Sequence, residues 1–151
     1  MYMRLVLAAI LDKQSVRERF TKWPLHITVL PPFEVNDKAD VLGAIQDEVT
    51  KSLPITVQVG DFAVYGNNRL VQKIIPNQAL QSLHKKLLRI AEVHHWDVAG
   101  RYTGNHYTPH ITLHRKDECL TGEIIIDELS IVRSDGLGYK TIIGTIKGHI
   151  S

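Results

Sequence analysis

The sequence holds a single cysteine, Cys119, in 151 residues. That excludes an intramolecular disulfide framework and any zinc site built from several thiolates. Long hydrophobic runs are also missing. The N-terminal apolar stretch from Leu5 to Leu11 spans seven residues, far short of the roughly 20 needed to cross a bilayer. It has no basic leader or cleavage site and runs straight into Asp12-Lys13, so it reads as a buried strand and not as a targeting segment. No charge of one sign dominates: 18 Lys+Arg against 16 Asp+Glu leave +2 with His neutral. That is too little for generic nucleic-acid binding by charge alone. These absences together point to a soluble, cytoplasmic protein, read as a monomer with no membrane partner.

What is present is an ordinary globular composition, 44% hydrophobic and 23% charged, enough for one core. No linker or low-complexity tract divides the chain, so residues 1–151 are expected to form a single domain. Dense apolar or alternating runs predict strands at residues 3–11, 25–30, 55–65, 69–75, 110–114, 123–132 and 139–147, with a short one near 96–99. A helical turn is expected within 15–20. The strand at 25–30 is expected to stop at Pro31-Pro32, which lack the N–H of a ladder. Val41, Leu42, Ile45 and Val49, behind a cap at Asn36 or Asp37, predict a helix over 38–51. Leu80, Leu83, Leu87 and Ala91, behind Asn77, predict a second. The expected class is α+β: two pseudo-symmetric lobes of antiparallel β-sheet with outer helices around a central cleft.

Two segments rise above this pattern: Pro24-Leu25-His26-Ile27-Thr28-Val29-Leu30 and Thr108-Pro109-His110-Ile111-Thr112-Leu113-His114. In a chain with 8 histidines a bare His-x-Thr is weak evidence. Here both copies have Ile in the middle, continue into an apolar residue, carry a nearby Pro and fall in strand-like runs, one in each half. In a strand, residues two apart share a face. His26 and Thr28 therefore point one way while Ile27 and Val29 anchor the other, and the same holds for His110 and Thr112. If the halves are related by a two-fold, the two His/Thr pairs meet across the cleft.

Two imidazoles flanking a phosphodiester can serve as general base and general acid, each typically contributing about 10²–10⁴ in rate. Two threonine hydroxyls can hold the non-bridging oxygens. This chemistry needs no metal and no cofactor. His106, His110 and His114 recur every fourth residue, which on a helix would suggest zinc. Pro109 and the alternation predict a strand instead, with His110 and His114 about 13 Å apart, and no metal is assigned.

At these residues the sequence resembles the two-histidine (2H) phosphoesterase superfamily, in particular its 2′-5′ RNA ligase-like and cyclic phosphodiesterase branch. The resemblance rests on the run from His26 through Pro31-Pro32-Phe33 and on Pro109-His110-Ile111-Thr112-Leu113-His114-Arg115. The opening strand and Arg69-Leu70-Val71 with the following helix are also similar. It implies His26 and His110 as the acid/base pair, Thr28 and Thr112 as phosphate holders, and a central cleft. It implies a substrate that is an RNA end or a small cyclic nucleotide: a 2′,3′-cyclic phosphate or a 2′-5′ linkage, with reversible 2′-5′ joining in some members.

Tyr102, Tyr107 and Phe33 are candidates for stacking on a base, although Phe33 also suits a plug for the turn. Arg115 either reaches the phosphate from the strand end or pairs with Asp117 or Glu118. Arg69 and Arg101 are weaker candidates. Two other readings compete: a non-catalytic RNA- or nucleotide-binding module, and a nuclease that degrades cyclic oligonucleotide signals.

Overall fold

The computed structural model describes residues 2–12, 18–100 and 103–149. In chain order the elements are strands β1 (Met3–Ile10), β2 (Arg19–Phe20) and β3 (His26–Val35), helix α1 (Lys38–Ser52), β4 (Ile55–Tyr65), β5 (Arg69–Ile74), helix α2 (Gln78–Val93), β6 (Asp97–Val98), β7 (His110–Thr112), β8 (Glu123–Ile126), β9 (Glu128–Ser134) and β10 (Lys140–Lys147). Single 3₁₀ turns lie at Gly104–His106 and Lys116–Glu118.

Among the described residues the strands form one open antiparallel sheet, ordered β2-β10-β9-β1-β3-β7-β5-β4-β8, with β6 added beside β3. Both helices begin where a side chain satisfies an otherwise orphan N–H. Asp37 accepts from the Ala39 amide at 3.0 Å, and Asn77 accepts from that of Leu80 at 2.9 Å. Their apolar stripes cover one face of the sheet. Val41 and Ile45 of α1 and Leu80, Leu83 and Leu87 of α2 share a cluster with Leu5, Leu7, Ile27, Val29 and Ile111. Each such side chain contributes about 1.5–3 kcal/mol by leaving water. The opposite face carries the site. Among the described residues no helix is long and apolar enough to cross a membrane.

The structure corrects three expectations. First, β3 does not stop at the prolines but continues to Val35. Pairing steps from Leu7↔Leu30 to Leu5↔Phe33, so β3 spends one residue more than β1 there. Pro31 and Pro32 occupy this bulge, where a missing N–H breaks no regular ladder bond. Second, the single strand expected over 123–132 is two strands. β8 pairs with β4 (Ile55↔Ile126), whereas β9 pairs with β1 (Val6↔Val132). At the single residue Asp127 the chain passes from the β4 ladder to the β1 ladder, so these two parts of the curved sheet come close together there. One lobe therefore combines β1 and β3 with the C-terminal β9 and β10, and the other holds β7, β5, β4 and β8. Third, Arg19–Phe20 is a strand on β10; the rest of the expected helical turn falls largely outside the described residues.

Candidate active site

The two lobes are joined by the motif strands themselves. β3 and β7 pair antiparallel with Ile27 opposite Ile111. In that register His26 stands opposite Thr112 and Thr28 opposite His110. The isoleucines are fully buried against the helices, so the four polar side chains lie together on the open face. The pairs do not confront each other over a gap between separate sheets. They sit side by side at the seam of one sheet, and the cleft is the concavity above it.

The local geometry of the two histidines is matched. His26 Nδ1 lies 2.8 Å from the Pro24 carbonyl, and His110 Nδ1 lies 2.9 Å from the Thr108 carbonyl. Each bond runs two residues back. A carbonyl can only accept, so Nδ1 carries the proton in both rings and Nε2 is the nitrogen left for chemistry. Among the described residues no hydrogen bond engages Nε2 of either ring, and none engages the hydroxyl of Thr28 or Thr112.

The electrostatic settings differ. Burial pushes His26 down to about 4; the Pro24 carbonyl opposes this, and the charges of His110 and His114 add to it. Burial also lowers His110, against the Thr108 carbonyl and with help from Arg69. At neutral pH both imidazoles of the free protein are uncharged. Aromatic rings lie against both imidazoles. Trp23 stacks on His26 at 4.1 Å between centroids and 28° between planes, and Phe20 meets Trp23 edge-on. Tyr65 presents an edge-type contact to His110 at 5.1 Å. His114 lies beyond the end of β7 and its Nε2 donates to the Trp23 carbonyl at 2.7 Å, so the strand spacing used above does not govern it. Among the described residues no three potential metal ligands converge.

A buried support lies beneath the site. His84 of α2 is fully buried. Its Nδ1 donates to the Val29 carbonyl at 2.7 Å, and its Nε2 accepts from the Gly104 amide at 2.9 Å. Those two fixed partners require the neutral ring, and burial lowers its pKa accordingly. Tyr107 stacks on His84 at 3.9 Å, nearly parallel, and donates its hydroxyl to the Thr28 carbonyl at 2.6 Å. Burial pushes the Tyr107 phenol up.

The secondary candidates divide. Tyr107 borders the cleft, but it is not a free-standing stacking platform, because its ring lies on His84 and its hydroxyl is engaged. Phe33 is withdrawn from the site altogether: it is 1% exposed and stacks on Trp96 in the core. Arg115 pairs with Asp117 at 3.2 Å on the exposed surface, which is the second of its two expected fates. Tyr102 and Arg101 lie outside the described residues. The sequence reading passed over Trp23, Tyr65 and His84. Trp23 carried a faint signal, an aromatic residue three positions before the first histidine.

Two adjoining clefts open at the seam. The smaller, about 220 Å³, is bordered by Thr28, Pro31, Arg69, Tyr107, Thr108 and His110. The wider, about 390 Å³, is lined by Val64, Tyr65, Gly66, Arg69, Thr108 and His110.

Comparison with known proteins agrees with this architecture. Residues 6–136 match the 2′-5′ RNA ligase superfamily. The chain belongs to that superfamily. Among solved structures, a protein described as a phosphoesterase is 16% identical over 99% of this chain and 100% of its own, with a TM-score of 0.65. TT0787 of Thermus thermophilus is 19% identical over 96% of this chain and 97% of its own, TM-score 0.64. E. coli LigT without ligand is 18% identical over 99% of both chains, TM-score 0.63. At such identities these likenesses establish the fold of this superfamily member. None of the curated proteins matches the sequence.

Proposed function

We propose that this member of the 2′-5′ RNA ligase superfamily is a metal-independent phosphoesterase. It opens a 2′,3′-cyclic phosphate, or cleaves a 2′-5′ phosphodiester, of an RNA end or a small nucleotide, and reversible 2′-5′ joining uses the same site. The observation that carries this reading is the reciprocal register about Ile27 and Ile111, which sets each catalytic imidazole opposite the other motif's threonine. LigT of E. coli has been crystallised with 3′-AMP and with phosphate, ligands of the size and charge this reading requires.

In hydrolysis, one Nε2 removes a proton from water as its oxygen attacks phosphorus. The phosphorus–ribose oxygen bond breaks, and the other imidazole, protonated, gives its proton to that ribose oxygen. Thr28 and Thr112 donate hydroxyl hydrogen bonds to the non-bridging oxygens, where charge builds up in the transition state. The low pKa of His26 keeps it in the proton-free state a base needs. The anionic phosphate raises the pKa of whichever imidazole acts as acid. In the joining direction the two roles exchange.

The test is a short RNA ending in a 2′,3′-cyclic phosphate, incubated with the protein in EDTA, with product phosphates resolved. Turnover is expected, and the double variant His26→Ala/His110→Ala should lack it while remaining folded. Full activity in that variant overturns the assignment.

A further inference from the structure

His114, the second histidine of the Thr108–His114 segment, has no part in the chemistry assigned to His26 and His110. Its backbone is fixed beside the site. The Leu113 amide donates to the Leu70 carbonyl at 2.9 Å, and the His114 amide donates to the Glu118 carboxylate at 2.8 Å. Its Nε2 donates to the Trp23 carbonyl at 2.7 Å. Trp23 belongs to the segment 21–25, which runs from β2 at the sheet edge to β3. That segment passes over the open face, where Trp23 lies on His26. Four of its carbonyls accept hydrogen bonds. Thr21 accepts from Lys140 Nζ at 3.3 Å, Trp23 from His114, Pro24 from His26 Nδ1 and Leu25 from the Leu11 amide at 2.8 Å. Of these donors only His114, just past β7, comes from the lobe of the second motif.

The Trp23 carbonyl sits at a joint. It lies in the planar peptide that joins Trp23 to Pro24, and the proline ring fixes the next φ. Only ψ of Pro24 separates that plane from the Pro24 carbonyl, which holds His26 Nδ1 at 2.8 Å. Holding one carbonyl therefore orients the next, and the imidazole with it. His110 is supported by the sheet instead, because the neighbouring Pro109 carbonyl accepts from the Ile74 amide at 3.2 Å. We propose that His114 is a positioning residue for the reaction: a latch that holds the 21–25 segment, and through it the His26 imidazole, in the reactive orientation. The proposal deepens the phosphoesterase reading and rests on it for the role of His26. It makes the motifs interdependent, since the second one sets the histidine of the first.

The test compares His114→Ala, which removes the donor, with His114→Gln, which keeps an N–H at a similar reach. His114 is exposed, so neither change opens a hole in the core. Both changes also remove the His114 charge, which acts on His26 together with that of His110. Any difference between the two variants therefore belongs to the hydrogen bond. In His114→Ala the nuclear Overhauser contacts between the Trp23 and His26 rings should weaken, and the His26 titration should move up from about 4. On the cyclic-phosphate RNA, kcat should fall about tenfold or more with KM little changed, since a misplacement of about 1 Å can cost about 10²-fold. His114→Gln should recover the ring contacts and most of kcat. Equal titrations and equal rates in the two variants, or ring contacts that survive His114→Ala, overturn the latch. The RNA assay on the unaltered protein separates the two readings. Donor-dependent ring contacts without turnover sink the phosphoesterase and keep the latch; turnover with ring contacts indifferent to His114 does the reverse.

Discussion

The indole of Trp23 covers the imidazole of His26, with ring centroids 4.1 Å apart, and is held there through its own carbonyl by His114. A ring in that position keeps water from the face of His26 and so favours its neutral form. Trp23→Ala should therefore raise the His26 pKa from about 4 towards the ordinary histidine value near 6.5. An NMR titration of the His26 ring protons reads this directly, and the acid limb of kcat/KM should move upward with it. An unchanged titration would show that Trp23 contributes nothing to the desolvation.

Acid should destabilise the fold through three histidines. His26, His84 and His110 all have lowered pKa values in the folded protein. Below about pH 6.5 the unfolded chain therefore binds more protons than the folded one, and stability falls as pH drops. Above that value these groups are neutral in both states and add no slope. The thermal midpoint should be lower at pH 5 than at pH 7.5. A midpoint that stays flat or rises on acidification contradicts the neutral, buried imidazoles described here.

The support under Thr28 should be measurable in both stability and rate. Tyr107→Phe keeps the ring on His84 but removes the donor to the Thr28 carbonyl. The cost should be about 1–2 kcal/mol, a fall of roughly 2–8 °C in midpoint for a chain of this size. Turnover should fall as well, because the strand segment bearing Thr28 loses a tether. His84→Leu should cost more, since it leaves the Val29 carbonyl and the Gly104 amide unpaired in the interior. Calorimetry of the two variants should rank them in that order.

Two glycines give opposite expectations. A methyl group at Gly148 would lie 2.7 Å from Leu53 Cβ and 2.9 Å from the Leu53 carbonyl carbon, too close without backbone movement. Gly148→Ala should destabilise by about 1–3 kcal/mol. Gly43 lies inside α1 and a methyl there meets nothing within 4 Å. Gly43→Ala should stabilise by roughly 0.5–1 kcal/mol through helix propensity. Chemical denaturation of both variants checks the signs.

The helices and the motif strands were legible in the sequence because their signals are local. Asp37 and Asn77 act as caps, Val41/Ile45/Val49 and Leu80/Leu83/Leu87 keep helical spacing, and Ile27 and Ile111 alternate with their polar neighbours. The errors came where pairing partners decide. Pro31-Pro32 reads as a stop until β1 supplies a bulge to hold it. Residues 123–132 read as one strand until β4 and β1 claim its two parts. Side chains joined over long stretches of chain were invisible for the same reason. Trp23 meets His114 91 residues on, and His84 reaches Val29 across 55 residues; neither contact leaves a local pattern. Phe33 looked available because it follows the motif, yet it keeps the parity of Ile27 and Val29 along β3 and lies with them in the core.

The change of ladder at Asp127 also bears on how the chain is made. β1 lies inside the sheet, between β3 and β9. During synthesis it leaves the ribosome more than a hundred residues before β9. One edge of β1 must therefore stay unpaired until β9 emerges, an exposed template of the kind that invites aggregation. The ladder that joins the two histidines, β3 on β7, is available before that point. The site can therefore assemble while the lobe bearing His26 still has an open edge, which β9 and β10 close later.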